Sequence, residues 1–426
     1  MRPHPSPAER PPLARTLAAG TAAFAAYFSM YAFRKPVAAA LYVDVAGWHH
    51  ALDYKTALLI AQVVGYALSK LIGVRVIAET GRVGRGRAIL GLVGIAWLAL
   101  LLFAVVPAPW HIACLFLNGL PLGMIWGLVF SYLEGRRTSE LLGAMLCASF
   151  ILSSGVVKSV AVLLMQAGVG EFAMPAATGA LFFPLLVGSV LVLERMPPPD
   201  AADEAERTPR QPMHRADRRA FFRDHGLAML LLVAGYVLLT ALRDFRDGFA
   251  AEIWAGLGET DVATLFSLTE IPVALVALAG LGCLMLVRDN RRALIAMHAL
   301  VAAGALSAGL ATLAWQAGLV GPVAWMVLVG AGLYLAYTPF NAMLFDRMIA
   351  ALGRAGNAGF LIYVADASGY AGSVALLLYR SLVAPPGDWL GFFTACIWAT
   401  SVIVPVLMLL SAVHFARLRR PAALAG

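Results

Sequence analysis

Two adjacent cations, Arg34 and Lys35, sit inside an apolar run from Leu13 to Val43 that is long enough to cross a bilayer. A cation at such depth costs about 2.5 to 3.5 kcal/mol even on insertion-based scales. A water-filled cavity, a bundle interior or an anionic ligand would make that cost tolerable. The alternative is that the helix ends there and the side chains snorkel into the headgroups. The apolar run continues through Val37 to Val43, which argues against snorkelling for Arg34. Consecutive helical residues cannot point the same way, so one of the two cations is expected to face a protein partner.

A second group of charges follows at Arg243-Asp244-Phe245-Arg246-Asp247. Arg243 lies about 16 residues into its apolar run, roughly 24 Å at the helical rise and past the middle of a ~30 Å core. Arg243 and Asp247 are spaced to pair on one helix face, and Arg246 lies on a neighbouring face. The cluster is either a self-neutralised structural unit or a cavity-facing anion site whose carboxylates hold the guanidinium groups in place. Guanidinium groups suit the second role, because their planar fork matches phosphate and carboxylate oxygens in pairs.

The chain's four lysines are Lys35, Lys55, Lys70 and Lys158, and Lys70 and Lys158 fall well inside apolar runs. Asp366 and Glu270 are carboxylates inside two further apolar runs; Tyr363 and Tyr370 share a helix face with Asp366. Each carboxylate reads either as a proton-coupling group or as a counter-ion to a nearby Arg or Lys.

The elements that must position these residues are membrane helices. The 426 residues are 61% hydrophobic and 13% charged, with mean hydropathy +0.80, against roughly 25% charged in a soluble domain. An all-α membrane protein is expected, with spans near 15–43, 54–78, 87–107, 110–134, 139–166 and 175–195, then 226–250, 262–287, 292–315, 321–350, 356–380 and 388–416. The corresponding organisation is a cytoplasmic tail at 1–14, a six-helix bundle at 15–195, a polar linker at 196–225, a second bundle at 226–416 and a tail at 417–426. The net charge of +8 comes from arginines in alternate gaps between spans. It is read as topology, with both termini cytoplasmic in the cell inner (plasma) membrane, and not as nucleic-acid binding.

The two halves repeat each other. Ser154-Gly155, Ser159-Val160-Ala161 and Leu163-Leu164 in the fifth span align with Ser368-Gly369, Ser373-Val374-Ala375 and Leu377-Leu378 in the eleventh. A similar offset pairs Arg34 with Arg243, Tyr27 with Tyr236 and Glu134 with Asp346. Parallel six-span repeats place a substrate site at their interface near the midplane. Gly119, Gly123 and Gly127 form a small-residue face for close packing of span four. Glu79, Arg82, Glu134, Arg136, Asp346 and Arg347 sit at span ends, as gating salt bridges or as charges set by topology alone. His111 and His298 are isolated, and the four cysteines lie in apolar runs without metal or disulfide spacing. There is no phosphate loop, metal cluster or catalytic triad, so neither an enzyme, nor a cofactor, nor an ATP-driven pump is expected.

Twelve spans, a central linker and a parallel repeat resemble the major facilitator superfamily. Glu79-Thr80-Gly81-Arg82 is a loose version of its acidic, Gly and Arg loop after span two. Within that superfamily, Arg34-Lys35, Gly65-Tyr66-Ala67-Leu68-Ser69-Lys70 and Leu242-Arg243 resemble the organophosphate:phosphate antiporters, which carry glycerol 3-phosphate and hexose phosphates. The resemblance implies that Arg34 and Arg243 bind phosphate from the two halves and that Lys70 assists. Two features depart from the family: span five lacks a histidine, and the Arg-Asp-Phe-Arg-Asp run is unusual for span seven. The substrate-binding set expected is therefore Arg34, Lys70, Arg243, Lys158, Tyr27, Tyr236 and Arg246. Asp244, Asp247, Glu270 and Asp366 serve as coupling groups or counter-ions. The expected function is secondary active transport of a small organic anion, a phosphorylated metabolite or phosphate, across the cytoplasmic membrane by alternating access, with the protein working as a monomer. The alternatives are a proton-coupled carrier of a carboxylate, cell-wall fragment or drug-like compound, and a non-transporting sensor on the same fold.

Overall fold

Long apolar segments have one way to satisfy their backbone in a bilayer, which is to coil. In the computed structural model they do so throughout. The structure describes residues 13–79, 84–133, 139–197, 215–259, 261–352, 358–383 and 387–417. Within these, side chains are described except at 13–15, 71, 74–79, 139–140, 215–222, 358–360 and 363. The helices are α1 Leu13–Tyr31, α2 Tyr54–Glu79, α3 Arg85–Phe103, α4 Trp110–Leu122, α5 Ile125–Leu133, α6 Ser139–Gln166 and α7 Met174–Glu194. The second half holds α8 Arg215–Gly248, α9 Ala250–Gly256, α10 Val262–Met285, α11 Asn290–Gln316, α12 Pro322–Ala342, α13 Leu344–Leu352, α14 Ala358–Leu382 and α15 Trp389–Arg417. With α4–α5, α8–α9 and α12–α13 each read as one interrupted span, the described helices form twelve spans in two sets of six. Among the described residues, nine of these spans are long and apolar enough to cross a membrane by length and composition.

In the first half α2 packs on α4, and α1 on α6 and α7; in the second, α8 packs on α14 and α15, and α11 on α12 and α15. The halves meet where α6 lies along α10 and α2 along α14. Small residues permit the closest approaches. A Cβ at Gly119 would fall 2.2 Å from the Gln62 carbonyl oxygen, and one at Gly155 would fall 2.3 Å from that of Phe266. The first locks α4 to α2, as the small-residue face of span four predicts; the second brings the two halves into backbone contact.

Span one departs from the expected helix over 15–43. Its helix stops at Tyr31, residues 32–34 form a turn, and Pro36–Ala39 make one 3-10 turn. Pro36 has no N–H, and its ring opposes the carbonyl four residues back, so the ladder cannot continue through it. The turn tightens to three-residue spacing, with Ala32, Phe33 and Arg34 N–H groups donating to Ser29, Met30 and Tyr31 at 3.0–3.1 Å. The freed carbonyls are met by side chains. Asn118 Nδ2 donates to Phe33 O at 2.9 Å and Gln62 Nε2 to Arg34 O at 3.2 Å. Gln62 Nε2 also donates to Asn118 Oδ1 at 2.8 Å. Non-helical backbone survives at membrane depth only with such partners. In the second half, α8 begins at Arg215, inside the stretch expected as linker, because its charged first turns continue the span as a helix.

Candidate functional site

The break in span one places Arg34 and Lys35 on the wall of a central cavity between the halves. The cavity encloses about 50 Å3, room for a few water molecules. Its polar wall includes Arg34, Lys35, Lys70, Arg243, Asp247 and Asp366, with Tyr27, Tyr31, Tyr66, Tyr334, Tyr337 and Tyr370 around them. Thus four of the expected substrate residues, Arg34, Lys70, Arg243 and Tyr27, line one space, although they come from α1, the turn after it, α2 and α8.

The arginines are laid on aromatic faces. The Arg34 guanidinium carbon is 3.9 Å from the Tyr66 ring centre, and that of Arg243 is 4.1 Å from Tyr337. Tyr27 and Tyr66 hydroxyls lie 3.5 Å apart. Such faces stabilise a cation without cancelling its formal charge. Lys70 sits between the Tyr66 and Tyr370 rings and pairs with Asp366.

Asp247 is the hub of the site. Its carboxylate pairs with Lys35 and, at 2.8 Å, with Lys158, and it accepts a hydrogen bond from Ser154. Lys158 Nζ also donates to the Asp247 carbonyl at 3.1 Å. The expected Arg243–Asp247 pair on one helix face is therefore not formed. Two lysines from the other half take Asp247, and Arg243 curls onto Asp244 instead, its Nη2 donating at 2.7 Å and its Nε at 3.2 Å to the same oxygen. Ser373 donates to the other Asp244 oxygen at 2.8 Å. Lys35, open in the sequence, is the cation that finds a protein partner.

Three of the expected substrate residues stand behind the wall. Arg246 pairs with Glu270 at 2.7 Å and donates to the Met326 carbonyl at 3.2 Å, and a Cβ at Gly330 would collide with it. Lys158 is committed to Asp247. Tyr236 donates to Asp366 at 2.5 Å and contacts the Tyr337 hydroxyl at 3.2 Å, so it supports the cavity from outside. Glu270 and Asp366 are each ion-paired, with Arg246 and Lys70 respectively. Of the span-end charges, Arg82, Glu134, Arg136 and the Glu79 side chain lie outside the described residues; Arg347 donates to Asn290 Oδ1 at 2.9 Å, and Asp346 opens α13.

The wall residues missed by sequence reasoning include several tyrosines, together with Trp126, Phe150, Asn341 and Ile362. Tyr66 lies one turn before Lys70 and was readable from that spacing; Tyr334 and Tyr337 carried no signal among the apolar residues of α12. Lys55 was missed as well. It sits at the start of α2, 1% exposed, with its ammonium 2.6 and 2.9 Å from the two Glu252 oxygens and 2.9 Å from the Ala38 carbonyl.

The charge balance is uneven. The wall carries four formal cations against two carboxylates, an excess of two. Adding Lys158 and Arg246 with their neighbours Asp244 and Glu270 leaves that excess unchanged. Among the described residues, Arg34 is the cavity cation with no carboxylate in salt-bridge reach, and its buried Nε has no hydrogen-bond partner.

A family model described as a family of unknown function, DUF5690, matches residues 36–418. The chain belongs to DUF5690. A comparison with curated proteins finds no match. Solved structures show the fold. A D-xylose-proton symporter superimposes with TM-score 0.60 at 14% identity over 93% of this chain and 96% of its own. The nucleoside transporter NupG gives 0.60 at 12% identity over 95% and 100%. A structure described under substrate recognition in proton dependent oligopeptide transporters gives 0.59 at 13% over 94% and 98%. This DUF5690 chain therefore has the major facilitator fold in a multi-pass membrane protein, with a cavity between its halves of a polarity its own residues set.

Proposed function

We propose that this DUF5690 chain is a secondary transporter that moves a small organic anion, a phosphorylated metabolite or phosphate, by alternating access. The observation that carries the reading is Arg34: a buried guanidinium facing the central cavity without a carboxylate, opposite Arg243 from the other half. A bound anion would offset the excess of two positive charges. In a low-dielectric site that compensation strengthens binding, and two guanidinium forks suit a phosphate's paired oxygens. Because one arginine comes from each half, the ligand draws the halves together, and rocking about it exposes the site to either side. The broken span one gives that motion a hinge beside the ligand. The small cavity volume corresponds to a closed state, and a larger solute is admitted as the halves part.

The arginine bias of alternate loops supports cytoplasmic termini and insertion in the cell inner membrane. Arg34, Lys70, Arg243 and Tyr27 would contact the solute, with Lys35 exchanging between Asp247 and the ligand. Vesicles containing the purified protein and loaded with phosphate test this by uptake of labelled phosphate, glycerol 3-phosphate or hexose phosphate. Uptake that survives Arg34→Ala and Arg243→Ala would overturn the site assignment.

A second reading is proton-coupled carriage of a non-phosphorylated solute, and it rests on Asp366, a carboxylate in the wall between Lys70 and Tyr236. The likeness in fold to a D-xylose-proton symporter is compatible with it. Uptake driven by a proton gradient and indifferent to phosphate loading would favour that reading.

A further inference from the structure

The two arginines of the cavity are unequal, and Asp244 makes them so. Arg34 faces the cavity with its charge uncompensated. Arg243 has two of its donor nitrogens, Nε and Nη2, turned onto one oxygen of Asp244, the next residue along α8. Neighbouring residues on a helix point apart, so this pairing requires the guanidinium to fold back along its own helix. Ser373 on α14 donates its one hydroxyl proton to the second Asp244 oxygen at 2.8 Å, the shorter of its two acceptor contacts, which keeps the carboxylate in place behind the wall. Asp244 itself is not part of the cavity wall. Its side chain is 11% exposed and that of Arg243 14%, so solvent screens the pair poorly.

We propose that Asp244 is a positioning residue that lowers the cavity's hold on an anion. It compensates Arg243 and restricts it to presenting its remaining donors across the Tyr337 face. The C-terminal half thereby becomes the weak jaw of the site and Arg34 the strong one. A site with two uncompensated arginines would hold an anion tightly and release it slowly; the Asp244 carboxylate trades affinity for release. This inference rests on the anion reading above.

The test uses the full-length protein and inorganic phosphate as the probe. Asp244→Asn removes the charge, yet its amide oxygen can still accept from Arg243 and Ser373 is still at hand, so the local geometry has a means of persisting. Phosphate is expected to bind this variant about tenfold or more tightly, the scale of one nearby charge in a partly screened site. Exchange in vesicles is expected to show a lower KM together with a lower kcat. Asp244→Ser gives the same direction by a second neutral side chain, and Asp244→Glu, which keeps the charge, stays near the wild type. Tighter binding is a readout that loss of structure alone cannot produce. If wild-type protein binds phosphate and both folded neutral variants bind it no more tightly, the role of Asp244 is refuted while the anion reading stands. If the wild type binds neither phosphate nor a phosphate ester, the anion reading falls and this inference falls with it.

Discussion

The N-terminal half brings cations to the midline of the molecule without carboxylates to match them. Arg34, Lys35, Lys55, Lys70 and Lys158 all belong to it, and among the described residues its span interiors contribute no carboxylate; Glu194, at the end of α7, meets Tyr132 and the Gly86 N–H. The C-terminal half brings both signs. Arg243 and Arg246 are paired inside it with Asp244 and Glu270, while Asp247, Glu252 and Asp366 reach across. Every lysine in the chain pairs with a carboxylate of the opposite half. Neither half is electrically complete alone. Parting the halves must therefore separate lysine–carboxylate pairs on whichever side opens, and an anion that pairs with freed cations lowers that cost. A bundle held by apolar contacts alone would have no comparable coupling between ligand charge and closure.

The strongest way to break this comparison is at the hub. Asp247→Asn leaves Lys35 and Lys158 facing each other without a carboxylate, and a lost partner of a buried pair costs about 3–5 kcal/mol. Thermal unfolding in detergent should show a larger loss than Arg34→Ala, Arg243→Ala or Asn118→Ala produces, partly restored when Lys158→Met is added. A wild-type melting temperature in Asp247→Asn would mean the ion pairs between the halves contribute little.

Next in size is the inequality of the arginines. Arg34→Ala should lower phosphate exchange by about a hundredfold, near 2.7 kcal/mol, and Arg243→Ala by clearly less, because Asp244 already offsets part of its charge. Equal losses would erase the proposed asymmetry. Asn118→Ala strips the Phe33 and Ala96 carbonyls of their donor and should destabilise the protein by about 1–3 kcal/mol. It should also weaken phosphate binding through Arg34; a stability loss with unchanged binding would separate the break in span one from the site. The smallest effect is expected from Lys55→Met with Glu252→Leu, which removes a pair at the end of the molecule opposite Glu194 and Arg215 without leaving an unpaired charge. A cysteine at Ser154 should then react with a polar thiol reagent a few-fold faster from that side, and an unchanged rate would deny the pair a role in closure.

Much of this was legible before any fold was known. Apolar runs of about 20 residues announce spans, and the cost of a buried charge makes Arg34, Lys70, Arg243 and Asp366 conspicuous wherever the helices pack. The offset between Arg34 and Arg243 placed them on opposite halves. The missing N–H of Pro36 is visible in the sequence, but the end of the helix at Tyr31 was not, since the apolar character continues to Val43. Lys55 escaped notice because a lysine at a span's start reads as an interfacial residue. Arg246 misled in the other direction, because its position in the charged run of span seven says nothing of Glu270 waiting on α10.

What the sequence determined by itself was the number of spans, the two-fold repeat and the set of charges that the membrane makes expensive. These follow from local composition and helical rise, which need no knowledge of neighbours. What only the tertiary structure decided was the pairing. Helix rotation and the backbone approach at Gly155 bring Lys35 and Lys158 to Asp247, while Arg243 turns onto Asp244 and Arg34 is left facing the cavity without a carboxylate. Electrostatic partnership depends on distances of a few ångströms between chain segments far apart in sequence, and sequence spacing carries no such information across halves.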